Sequence, residues 1–177
     1  PLTPYNNYSP YNPYSPYSIY SSYKKAPQSM QKQPLSSLSE QDHLLVRQAQ
    51  EATHLAYAPY SHFHVGAAVQ LADGTTVQGG NQENASYPCG ICAERSALST
   101  AQNLHPGVPV TAIAIAATRD GSPAAEPVTP CGMCRQVIAE TEQRYATPIR
   151  IIMASQSDAV IADTIADLLP LTFKKML

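Results

Sequence analysis

Four cysteines fall into two Cys-x-x-Cys pairs, Pro88-Cys89-Gly90-Ile91-Cys92 and Pro130-Cys131-Gly132-Met133-Cys134, and they constrain this chain more than any other feature. Thiols at this spacing suit a metal ion or redox chemistry, whereas disulfide frameworks belong to oxidising compartments. The 38 residues between Cys92 and Cys131 are about twice the stretch usual between the knuckles of a compact zinc ribbon. That stretch reads as a helix over Ile91 to Gln102 and a buried strand over Val110 to Thr118. A fold that brings both pairs to one ion has to double a helix and a strand back between them. Two zinc architectures stay open: a structural site closes all four positions with protein, and a catalytic site uses three and leaves the fourth for water. Glu94, two residues after Cys92, stands where a catalytic site needs a carboxylate beside that water.

The surrounding periodicity describes one α/β domain over residues 39 to 177. Ser39 and Asp42 form an S-x-x-D capping signal, followed by Leu44, Leu45, Ala49, Ala52, Leu55 and Ala56 on one helical face that ends before Pro59. Val65 to Leu71 and Thr75 to Gly79 flank Asp73-Gly74, a pair that favours a tight hairpin because glycine tolerates positive φ. Cys131 to Tyr145 has helical composition, and Ile149 to Met153 and Ala159 to Ile161 read as strands before a last helical turn near Ile165 to Leu169. The order α-β-β-α-β-α-β-β-α predicts a three-layer α-β-α architecture around a mixed five-stranded sheet.

Residues 1 to 38 differ in kind. They are rich in Tyr, Pro, Ser and Asn, with tyrosine at every third position from Tyr5 to Tyr23. Such a segment has few aliphatic side chains for a core, so disorder is the default, as a passive appendage or a self-associating tail. Its charges are Lys24, Lys25 and Lys32, which leaves eight basic against thirteen acidic residues in the remainder. An acidic domain lacks the electrostatic footprint of a nucleic-acid binder. No stretch approaches the roughly 20 apolar residues of a membrane span, and the first residues do not resemble a secretory signal. A cytoplasmic protein with reduced thiols is expected.

Cys92-Ala93-Glu94 followed by Pro130-Cys131-x-x-Cys134 resembles the zinc-dependent cytidine deaminase superfamily. Tyr60-Ser61-His62-Phe63-His64-Val65-Gly66-Ala67-Ala68 and Asn81-Gln82-Glu83-Asn84-Ala85 extend the likeness to its homotetrameric branch acting on free nucleosides. The resemblance covers residues 39 to 173. It implies one Zn²⁺ per subunit held by Cys92, Cys131 and Cys134, with Glu94 as the catalytic proton carrier. Both cysteine groups fall at predicted helix N-termini, whose positive ends favour thiolates. Three thiolates leave an excess of negative charge on the site, and Arg95, three residues from Cys92, is the expected compensating cation. A cation about 4 Å away at an effective dielectric of about 20 contributes on the order of 4 kcal/mol.

Asn81 and Glu83, at i and i+2 of a strand end, can hold sugar hydroxyls from one face, and Phe63 offers a ring on which a pyrimidine can stack. Ala93 completes the substrate contacts that the resemblance implies. Leu168-Leu169-Pro170-Leu171-Thr172-Phe173 is similar to the family's L-L-P-x-x-F, whose phenylalanine reaches a neighbouring subunit's site, although Lys174-Lys175 follows where Gly-Pro is usual. His62 and His64 read as polar loop and strand residues, and Cys89 is left without a ligand role. The expected activity is hydrolytic deamination of cytidine and deoxycytidine to uridine and deoxyuridine plus ammonia, as in pyrimidine salvage. The rivals are a related deaminase for another cytosine nucleoside such as blasticidin S, and a noncatalytic four-cysteine zinc module with an assembly tail.

Overall fold

The computed structural model describes Met30 and residues 32 to 173. The tyrosine repeat, Gln31 and Lys174-Lys175 lie outside the described residues, as do the expectations that concern them. In chain order the elements are β1 (Lys32–Pro34), α1 (Glu40–Ala52), β2 (Phe63–Leu71), β3 (Thr76–Gly80), α2 (Ala93–Leu104), β4 (Val110–Arg119), β5 (Ser122–Pro123), α3 (Gly132–Tyr145), β6 (Arg150–Ala154) and β7 (Asp158–Ala162). A 3₁₀ turn at Ile165–Asp167 takes the place of the last expected helical turn. Among the described residues no helix is long and apolar enough to cross a membrane.

The sheet is mixed and runs β1-β7-β6-β4-β2-β3, with β5 attached to β4, so it has seven strands where five were expected. All five expected strands are present, and β1 and β5 are the additions. These are only three and two residues long, too short to show a hydrophobic period. β1 also lies within residues 1 to 38, the segment assigned to the tail. Its place comes from a remote pairing, Lys32 opposite Val160 and Pro34 opposite Asp158, reinforced by Lys32 Nζ at 3.0 Å from Glu126 and 3.4 Å from Asp158.

Alternation along β4 builds both cores. Ala112, Ala114 and Ala116 face α1 with Leu45, Val46 and Ala49, and Ile113 and Ile115 face α2 and α3 with Leu98 and Ile138. Small residues on the first face let α1 approach closely. A Cβ added at Gly66 would lie 2.2 Å from the Ala49 carbonyl oxygen, and one at Gly79 would lie 2.5 Å from the Ala97 nitrogen. The helix α1 starts as its capping signal predicts, with Ser39 Oγ accepting from the Asp42 N–H at 3.1 Å. It ends earlier than expected, passing into a 3₁₀ turn at Thr53–Leu55. Leu44 and Leu55, expected on the core face, are about half exposed at 48% and 53%. Leu45, Ala49 and Ala52 carry that face as expected, joined by Val46.

Connectivity around β4 positions the site. β4 and β6 are parallel neighbours, so the intervening α3 must run back across the sheet face. The short connection from Leu104 to Val110 likewise makes α2 antiparallel to β4. Both helices therefore place their N-termini at the edge where β4 ends, which is where open α/β sheets bind ligands. Substituting Gly66→Ala should force the Ala49 backbone away and destabilise the fold by about 3 kcal/mol, measured by urea unfolding. A stability equal to that of the wild-type protein would contradict the close packing of α1.

Candidate active site

The two helix starts deliver the sulfurs. Cys92 is the N-cap of α2 and Cys131 the N-cap of α3, both in extended backbone. Cys134 lies one turn into α3 and is fully buried. The Cys92 and Cys131 sulfurs are 3.8 Å apart and those of Cys131 and Cys134 are 3.4 Å apart, all three within 4.8 Å of one another. Tetrahedral zinc with bonds of about 2.3 Å requires sulfurs separated by about 3.8 Å. The donor set and its spacing therefore fit one Zn²⁺. Among the described residues this is the one such cluster found, and Cys89, exposed in the turn Tyr87–Cys89, is not part of it.

The electrostatics follow from burial and from the shared sulfur site. The Cys92 thiol is pulled down to about 5, first by hydrogen bonding with Cys134, then with help from Arg95 and Cys131 against the opposing effect of burial. Cys134 is pushed up by that same hydrogen bond and by burial. Arg95 Nη2 lies 4.0 Å from the Cys92 sulfur and donates to the Gly90 carbonyl at 3.2 Å. Arg135 is occupied elsewhere, donating to the carbonyls of Pro130 at 2.9 Å and Leu168 at 3.0 Å. Arg95 is thus the cation beside the thiolates. Glu94, at the second position of α2, is only 4% exposed. Burial raises its carboxyl above the usual carboxylate range, and the Cys92 charge adds to the rise, which moves it toward the range useful for proton transfer.

A cavity of about 650 Å³ opens over these groups, within the size range of small-molecule sites. Cys92, Ala93, Glu94, Arg95 and Cys131 form one part of its lining, and Phe63, Asn81 and Glu83 form another. Backbone pairing fixes the two parts relative to each other. Gln82 and Ile91 exchange N–H to carbonyl bonds of 2.9 and 3.0 Å, tying the segment after β3 to the approach to Cys92. On its other side the segment is tied to Tyr57, whose N–H donates to the Asn81 carbonyl and whose carbonyl accepts from the Glu83 N–H, each at 2.8 Å.

The Asn81 amide is partly used by the protein: Oδ1 accepts from the Val65 N–H at 2.8 Å and Nδ2 donates to the Phe63 carbonyl at 3.1 Å. One Nδ2 hydrogen and one Oδ1 lone pair remain for a ligand. The Phe63 ring stacks on the Arg119 guanidinium, 5.1 Å from its centroid. Ala93, as the first residue of α2, has an N–H with no intrahelical acceptor. Phe173 does not line this cavity; it is 82% exposed, and its backbone N–H and carbonyl are both held by the Gln136 amide, at 3.2 and 2.9 Å. His64 lines a separate cavity on the α1 side of the sheet. Tyr60, Ser61, Val128 and Thr129 also line the active cavity without having been singled out individually. Their adjacency to the Phe63 and Cys131 motifs is the signal that could have found them.

Because three sulfurs converge and the fourth stands apart, Cys89→Ala should retain one zinc per chain. Cys134→Ala should lose the metal, with elemental analysis of the purified proteins as the measurement. Arg95→Gln should keep the fold and weaken zinc retention about tenfold under chelator competition.

Comparison with known proteins agrees with this geometry. Residues 39–147 match the family model for the cytidine and deoxycytidylate deaminase zinc-binding region. The cytidine deaminase of Halalkalibacterium halodurans is 38% identical over 130 residues, covering 73% of this chain and 92% of that protein. The cytidine deaminase of Sporosarcina psychrophila is 39% identical over 132 residues, covering 74% and 90% respectively. A crystal structure of cytidine deaminase from Burkholderia pseudomallei superposes with a TM-score of 0.64 at 38% identity, across 77% of this chain and 100% of that one. At this identity and coverage, the chain belongs to the cytidine deaminase family.

Proposed function

We propose that the protein catalyses hydrolytic deamination of free cytidine and deoxycytidine, releasing ammonia and the corresponding uracil nucleoside. The observation that carries this reading is the pairing, in one cavity, of a three-thiol zinc site and buried Glu94 with Asn81, Glu83 and Phe63. Cys92, Cys131 and Cys134 would hold Zn²⁺, which when bound would provide a nucleophile at neutral pH by lowering the pKa of water. Glu94 accepts the first proton of water and passes it to ring N3, then takes the second from the new C4 hydroxyl and passes it to the departing amine. The balance closes with the water oxygen on C4 and the amine nitrogen released as ammonia. Asn81 and Glu83 hold the sugar, Phe63 stacks on the ring, and Ala93 contributes its free N–H to substrate binding. A site built to bond sugar hydroxyls leaves its polar groups unpaired against a bare base, which favours nucleoside over cytosine.

Arg95 offsets the charge of the thiolates, which lie within a partly enclosed cavity where a cation is worth more than in bulk water. The family resemblance supports a homotetramer in which Phe173 enters a neighbouring subunit's cavity. Its exposed ring, next to exposed Leu171 and carried on a backbone clamped by Gln136, suits that task. The residues that precede β1 are proposed as an appendage to a cytoplasmic salvage enzyme.

Mixing zinc-loaded protein with cytidine should give uridine, followed by the ultraviolet absorbance change. No conversion of cytidine or deoxycytidine would overturn the assignment. Glu94→Gln should keep its zinc and lose at least about a hundredfold in kcat; full turnover in that variant would remove Glu94 from the proton path.

A further inference from the structure

The least explained polar contact in the cavity is the grip of the Tyr60-Ser61 loop on Glu83. Ser61 Oγ donates to Glu83 Oε1 at 2.5 Å, within the range of a charge-assisted hydroxyl bond. The same oxygen accepts from the Phe63 N–H at 3.0 Å. Glu83 Oε2 accepts from the Tyr60 N–H at 2.9 Å and from the Ser61 N–H at 3.3 Å. A carboxylate offers about four lone-pair positions. Three are taken by this loop, with both positions on Oε2 filled, so the remaining acceptor lies on Oε1 beside the serine hydroxyl. The turn that makes this possible passes through His62 at φ 54°, a left-handed conformation uncommon for a side-chain-bearing residue.

We infer that Ser61 is a positioning residue for nucleoside selection: its single hydroxyl orients the Glu83 carboxylate toward the sugar and fixes the start of β2, where Phe63 meets the ring. The inference rests on the proposed sugar-holding role of Glu83 and adds the group that aims it. The Ser61 hydroxyl is also the leading cause that keeps the Glu83 carboxyl below its ordinary range, so it stays ionised and able only to accept. Two walls of the pocket are thereby joined through one oxygen atom. Neither Cys92 nor Glu94 takes part in this network, so its loss should weaken substrate binding without touching the chemical step.

The test compares the zinc-loaded wild-type protein, Ser61→Ala, Ser61→Thr and Glu83→Gln on cytidine, deoxycytidine and 2′,3′-dideoxycytidine. Zinc content and thermal unfolding are followed in parallel. Ser61→Ala should raise KM for cytidine about tenfold, the loss of one charge-assisted hydrogen bond, with kcat within about twofold of wild type. It should also shrink the preference for deoxycytidine over the dideoxy analogue, as Glu83→Gln should. Ser61→Thr, which keeps the hydroxyl, should restore both. If Glu83→Gln abolishes the sugar preference and Ser61→Ala leaves it at the wild-type value, the role of Ser61 is overturned. If the wild-type protein shows no preference between deoxycytidine and the dideoxy analogue, the sugar-holding role of Glu83 fails first. A fall in kcat with unchanged KM in Ser61→Ala would also overturn the inference.

Discussion

Convergence of two helix N-termini on three sulfurs is the constraint on which the rest of the molecule depends. Cys92 and Cys131 each occupy an N-cap, and Cys134 follows one turn later. No local interaction could bring these residues within 4.8 Å of one another. The parallel pairing of β4 with β6 does so, because it obliges α3 to return across the same face against which α2 packs. The alanine stripe of β4 and the glycines of β2 and β3 serve the same end, since they let the helices sit close enough for the sheet edge to define the cavity.

Electrostatics at the floor of the cavity are a balance between burial and charge. Three thiolates side by side would repel one another, and the helix N-termini and Arg95 are placed where they would offset that repulsion. The hydrogen bond between Cys134 and Cys92 pulls the Cys92 thiol down and, together with burial, pushes Cys134 up. Glu94 shares the same enclosed environment, and its raised carboxyl is a consequence of that burial. At the mouth the logic reverses. Glu83 is half-buried and bonded by three donors from one loop, an arrangement that suits recognition of hydroxyls and not proton transfer.

Much of the fold was legible because it is written in short-range patterns. The Ser39 cap, the Asp73-Gly74 turn and the alternating β4 strand are local features, and each appears where the sequence pattern puts it. The misplaced features share a physical cause. β1 and β5 are too short for periodicity and exist through their partners β7 and β4. Leu44 and Leu55 fit a helical stripe on paper, but α1 turns Leu45 and Val46 inward and gives way to a 3₁₀ turn before Leu55. Among the described residues, Phe173 falls outside its own chain's cavity.

By itself the sequence determined which chemistry-bearing groups are present: thiols with a carboxylate two residues after one of them, a neighbouring arginine, and an Asn-x-Glu segment after a hairpin. Residue types and spacing suffice for that, because ligand softness and proton-transfer capacity belong to the side chains themselves. Tertiary structure alone decided that β1 and β5 join the sheet, that Leu44 and Leu55 fall outside the core, and how Ser61 comes to hold Glu83 across 22 residues of chain. Those outcomes depend on distances between segments that meet only when the sheet is assembled, and no local pattern encodes them.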